Sequence, residues 1–215
     1  MEQTLPILNA SEQRVLGSLM EKSRTTPEYY PMTINSLTAA CNQKTSRNPI
    51  MQFDEELIVQ SLDSLKKKGL VATATGGSSR VTKYKHNLAV AYPLVPSELA
   101  IICLLLLRGS QTPGELNTNS ARLYEFESLE EVNTVLQKLA DPLLSFVKAL
   151  DRRPGQKEVR YVHLLGDLAE DHSEQYSGKA TAVSTSQLEE RVSTLENQLG
   201  ELRNEFDKLM KELGG

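Results

Sequence analysis

The sequence predicts a mainly α chain with small β-hairpins (α+β), built from two similar halves and a long C-terminal helix. Three observations carry that expectation. The stretch Ser97–Pro113, SELAIICLLLLRGSQTP, falls on Ser11–Pro27, SEQRVLGSLMEKSRTTP, at an offset of 86 residues. Ser97, Glu98, Thr112 and Pro113 repeat Ser11, Glu12, Thr26 and Pro27, so start and stop signals recur together and mark a duplication. Within each copy three helical patterns precede a hairpin pattern, and an unbroken heptad seam occupies the end of the chain.

The first copy opens with a helix over about Ser11–Lys22, with Asn9 or Ser11 as its cap; Asn9 and Glu12 have capping-box spacing. Pro27 and Pro31 forbid its continuation. A second helix follows at Thr33–Cys41, with Ile34, Leu37, Thr38 and Cys41 on one side. Asn42–Phe53, NQKTSRNPIMQF, is polar and basic and is broken by Pro49. Asp54 caps a third helix to Lys68, which buries Leu57, Ile58, Leu62 and Leu65 and is stopped by Gly69. LVATAT and RVTKYKH then alternate as two strands around GGSS. Three helices followed at once by a hairpin is the order of a winged helix.

The second copy repeats it with helices at Leu99–Arg108, Pro113–Leu123 and Ser128–Ala140. Ser128 and Glu131 form a capping box. SFVKALD and EVRYVHL are its strands and RRPGQK its wing tip. Between the third helices the offset is 74, so the first copy carries an insertion of 12 residues, which fits Asn42–Phe53. Tyr84-Lys85-His86 falls on Tyr161-Val162-His163 at offset 77. The helix Leu99–Leu107 is apolar all round, so one face fills its own core and the other must be covered by the first copy or by another subunit.

Residues 166–184 lack periodicity and hold few large apolar groups, the composition of a flexible linker. Beyond them Val192, Leu199, Phe206 and Leu213 take heptad position a, and Leu188, Leu195, Leu202 and Leu209 take d. This narrow stripe predicts a homodimer through the C-terminal helix; the alternative is a helix folded back on its own domains. The domain limits are therefore 1–90 and 91–165 for the winged helices, 166–184 for the linker and 185–215 for the coiled coil.

Charge is segregated: residues 10–90 carry +4, residues 91–165 carry −1 and residues 166–215 carry −6. No basic stretch precedes an apolar core at the start, and no apolar run reaches membrane length. A cytoplasmic protein with Cys41 and Cys103 as reduced thiols is expected, without membrane contact.

At TTPEYYPMTINSLTAACNQKTSRNPIM, RVTKY, LLLRGSQTPGEL, ARLYEF and RRPGQKEVRYVHL the chain resembles the YceH family of bacterial proteins. The resemblance covers nearly the whole chain. It implies two winged-helix domains and a coiled-coil-like C-terminus, and it carries over no site residue.

Chemistry argues against an enzyme. His86, His163 and His172 have no partner at fixed spacing, no Cys/His cluster has zinc spacing, and no phosphate-cradling glycine loop precedes a helix. No cofactor and no metal are expected. A DNA-binding or transcription-regulatory protein is one reading, with double-stranded DNA as partner. A protein-protein interaction or assembly module is the other. The third helices open with Asp54, Glu55, Glu56 and with Glu130, Glu131, which would repel phosphate. Candidate nucleic-acid contacts are instead Lys44, Arg47, Arg80, Lys83 and Lys85 in the first copy, and Arg152, Arg153, Lys157 and Arg160 in the second. Each of these surfaces reads equally well as a solvated basic loop.

Overall fold

The computed structural model of this chain describes residues 5–74, 81–142, 145–152 and 158–166. Within them the chain is α+β, with seven α-helices and two antiparallel hairpins. Helix α1 (Ala10–Thr25) starts on a reciprocal capping box. Asn9 Oδ1 accepts from the Glu12 amide at 2.9 Å while Glu12 Oε2 accepts from the Asn9 amide at 2.8 Å. Thr33 caps α2 (Ile34–Cys41), and Asp54 caps α3 (Glu55–Lys67) by accepting from the Leu57 amide at 2.8 Å. Past α3, Gly69 takes a left-handed φ of 73°, which lets the Leu70 amide reach back to the Leu65 carbonyl at 2.9 Å. That turn launches β1 (Val71–Ala74), which pairs with β2 (Lys83–His86) with Val71 opposite His86.

The second half contains α5 (Pro96–Arg108), α6 (Pro113–Ser120), α7 (Leu129–Leu139), β3 (Val147–Ala149) and β4 (Tyr161–His163). Ahead of it lies a single turn of helix, α4 (Leu88–Ala91), which has too few residues for its periodicity to show in the sequence. Helix α6 ends three residues before the expected Leu123, and the strands are shorter than their alternating patterns.

Both halves tie the segment before their second helix to their second strand. Met32 and Tyr84 exchange backbone hydrogen bonds at 3.0 and 2.8 Å, and Gln111 and Tyr161 do so at 3.1 and 2.8 Å. Both also staple the first helix to the end of the third. The capping glutamates Glu12 and Glu98 are buried, and they pair with Lys68 at 2.7 Å and Lys138 at 2.6 Å. A buried carboxylate is tolerable only when it is paired in this way.

The halves meet helix on helix, α1 against α5, and share one apolar core. Residues Ala100–Leu107 of α5 are all buried, with Leu104 only 4% and Leu107 only 1% exposed. The second face of α5 is thus covered from within the chain. At the crossing sits Gly17, where a Cβ would lie 2.9 Å from Leu107 Cδ2 and 3.2 Å from Leu106 Cβ. Glycine here permits the close approach. The ends of the described region are tied as well, since the Leu8 amide donates to the Leu165 carbonyl at 2.9 Å. Among the described residues no helix is long and apolar enough to cross a membrane. The expected coiled coil, Leu188–Leu213, lies outside the described residues.

Candidate nucleic-acid surface and the joint beneath it

The 42–53 insertion carries Lys44 and Arg47 in different directions. Lys44 is exposed, whereas the Arg47 side chain is 0% exposed. Arg47 donates to both oxygens of Glu21 at 3.0 and 2.8 Å and to the Ala40 and Ser46 carbonyls at 2.9 Å each. The expectation that Arg47 meets phosphate is corrected: its guanidinium is spent on an internal carboxylate and backbone carbonyls. Burial pushes the Glu21 carboxyl up, but the hydrogen bonds and charge of Arg47, with Lys22 beside them, outweigh it and hold it below the usual carboxylate range.

A second arginine completes this joint. Arg14 donates to the carbonyls of Cys41 and Pro49, and burial together with the nearby Arg47 charge lowers it to about 10. At offset 86 Arg14 and Glu21 fall on Ala100 and Leu107, so the buried ionic set and the insertion belong to the first half together. The insertion also reaches across to α5. The Asn48 amide donates to the Leu107 carbonyl at 2.9 Å, Asn48 Nδ2 to the Arg108 carbonyl at 3.3 Å, and Arg108 Nη2 to Ser46 Oγ at 3.0 Å. The last carbonyls of a helix have no partner inside it, and Asn48 supplies one. At the loop's ends Asn42 exchanges two 2.8 Å hydrogen bonds with the Phe53 backbone. The insertion is therefore a clamp through Asn42, Arg47 and Asn48, while Lys44 and Thr45 face solvent.

The first hairpin presents a different surface. Lys83 and Lys85 stand two apart on β2, opposite Ala74 and Ala72, so they share one face with small neighbours. Lys85 is exposed and Lys83 half-exposed. On the inward face Tyr84 packs against the core and His86 is half-buried. Arg80 lies outside the described residues, as do Arg153 and Lys157. In the second half Arg152 is exposed, but Arg160 pairs with Glu115 at 3.0 Å and donates to the Ser110 carbonyl. Arg160 is thus tied to α6 and is not a free cation, because an acceptor stands on the neighbouring helix. Glu55, Glu56 and Glu130 are exposed at the starts of α3 and α7. Arg24 and Lys67 are also exposed cations and were not among the sequence candidates.

Burial governs both cysteines and the two described histidines. Cys41 is buried and its thiol is pushed up to about 11 by burial; Cys103 moves in the same direction for the same reason. Burial lowers His163 to about 4, and burial with the Arg24 charge lowers His86, so both rings are neutral at pH 7. No cluster of His, Cys, Asp or Glu fit to hold a metal occurs among the described residues.

Comparison with known proteins gives one consistent relationship. The family described as "Protein of unknown function, DUF480" matches residues 8–156. A UPF0502 protein of Shewanella sp. (strain MR-4) is 43% identical over 219 residues, covering 96% of this chain and 99% of its own. A UPF0502 protein of Pelobacter propionicus is 44% identical over 207 residues, covering 95% and 94%. The UPF0502 protein YceH of Escherichia fergusonii is 42% identical over 212 residues, covering 96% and 98%.

Proposed function

This chain belongs to the YceH family of UPF0502 (DUF480) proteins, and we propose that it is a non-enzymatic tandem winged-helix protein that binds duplex DNA through the hairpin of its first half. One observation carries the reading: Lys83 and Lys85 project from one face of β2 with only Ala72 and Ala74 across from them. Small neighbours let a phosphate backbone come close, and phosphate neutralisation dominates duplex affinity. Lys44 is a further exposed cation of the same half, and Arg80 adjoins the strand in sequence. Helix α3 does not read the groove in this arrangement, since Glu55 and Glu56 face solvent at its start.

The interaction-module reading is the weaker one. Its best argument was an α5 face in need of a partner, and α1 of the same chain meets that need. The heptad seam Leu188–Leu213 supports pairing of two copies, which would place two such hairpins in one particle. Truncation after Ser184 should then halve the mass seen by light scattering, and an unchanged mass would refute the pairing.

Fluorescence anisotropy of a labelled duplex across a salt series tests the function. Each phosphate contact contributes about 0.9 to the slope of log K against log salt. Replacing Lys44, Lys83 and Lys85 together with alanine should weaken binding and flatten that slope by up to about 2.7. Absence of duplex binding by the parent chain at low salt would refute the reading.

A further inference from the structure

We propose that the joint between the two halves holds a binding site for a small organic anion with an apolar body. A cavity of about 220 Å³ lies there. Helix α1 lines it with Met20, Ser23 and Arg24. Helix α5 contributes Pro96, Leu99, Ala100 and Cys103, whose spacing is that of a single helix face. His86 from the end of β2 and Leu123 from the turn after α6 close the sides.

Size and charge define the occupant. The space exceeds the roughly 150 Å³ apolar cavity that takes up benzene and falls short of the roughly 300 Å³ at which drug-sized pockets begin. A single ring or a short branched chain with one polar group fits that range. Aspartate and glutamate are absent from the lining, and Arg24 is its one charged side chain at neutral pH. Arg24 is exposed and has no ion-pair or hydrogen-bond acceptor among the described residues. It therefore stands where the cavity meets solvent, ready for a carboxylate.

Deeper in, Ser23 and Cys103 are already engaged, whereas His86 Nδ1 is buried without a hydrogen-bond partner among the described residues. Ser23 Oγ donates to the Met20 carbonyl at 2.7 Å, which leaves the oxygen to accept from His86 Nε2 at 3.3 Å. The Cys103 thiol donates to the Gly17 carbonyl at 3.4 Å and stays protonated. Binding is thus non-covalent, with an apolar body among Met20, Leu99 and Leu123 and the anionic group on Arg24. The site is separate from the basic hairpin face, so it stands or falls independently of duplex binding.

Methyl NMR on the full chain, titrated with phenylacetate, 4-methylpentanoate, phenylacetamide and acetate, tests the site. The two apolar acids should shift the Met20, Leu99 and Leu123 methyls saturably at millimolar concentration, and acetate should not. Arg24→Gln, a change at an exposed position, should weaken both acids about tenfold and leave the neutral amide unaffected. Absence of saturable shifts with either acid would overturn the proposal. Equal affinity of the parent and Arg24→Gln for phenylacetate would overturn it too.

Discussion

Cys103 Sγ donates to the carbonyl of Gly17 at 3.4 Å, and these two residues are the same position of the internal repeat. Contact between equivalent positions is the mark of an isologous pairing, here made within one chain by α1 and α5. Gly17 also lies against Leu107, whose equivalent in the first copy is Glu21.

Gly17→Ala should destabilise the chain by about 1 kcal/mol, although alanine in a helix is worth about 1 kcal/mol more than glycine. The new Cβ would sit 2.9 Å from both Cγ and Cδ2 of Leu107, a buried side chain that must shift to admit it. Leu107→Asp should cost more than about 3 kcal/mol, since a lone charge would enter the same contact. Urea unfolding measures both; a gain in stability for Gly17→Ala would contradict the packing.

Lys44→Ala and Arg47→Ala should separate sharply although they lie three residues apart in one basic loop. The first should change stability by less than about 0.5 kcal/mol, because its side chain is exposed. The second should cost about 3 kcal/mol, because it leaves Glu21, with a side chain only 13% exposed, without its bidentate partner. Equal unfolding midpoints for the two variants would refute the clamp.

Stability should fall with acid from about pH 6.5 downward, well above the carboxylate range. His163 titrates at about 4 in the folded chain against 6.5 when unfolded, so between these values the unfolded state binds the extra proton. Its contribution is complete above pH 6.5 and is lost as the pH falls toward 4. His86 acts in the same direction. Glu12 and Glu21, held below their ordinary 4.5, lose their contributions only at lower pH. The His163 shift corresponds to about 3 kcal/mol. His163→Phe should therefore flatten the pH 6.5–4 limb by that order in chemical denaturation at stepped pH.

Glu55→Gln with Glu56→Gln should leave duplex affinity unchanged or raise it. Both carboxylates are exposed at the start of α3, where they repel phosphate if α3 faces the duplex and are silent if it does not. Anisotropy at fixed salt measures this, and a loss of binding would return α3 to the interface.

Elements of this protein were legible one at a time because their signals are local. Asn9 with Glu12, Asp54, Thr112 with Pro113, and Ser128 start helices, and Gly69 stops one, through contacts that span a few residues. The repeat was legible for the same reason, since it copies those signals at a fixed offset. The four-residue α4 was not, because a single turn has no period to detect.

Residues far apart in sequence were decided by the tertiary structure alone. Lys44 and Arg47 look alike in the chain, and only the fold brings Glu21, 26 residues away, against one of them. Arg160 likewise found Glu115, 45 residues back, and is ion-paired there. The sequence determined that α5 is apolar on every side; which element would cover its outer face depended on Gly17 leaving room for it. Periodicity and capping act within a turn or two of chain and can be read directly. Ion pairing and packing act through space, and the partner of a charge or of an apolar face is known only once the helices have been placed.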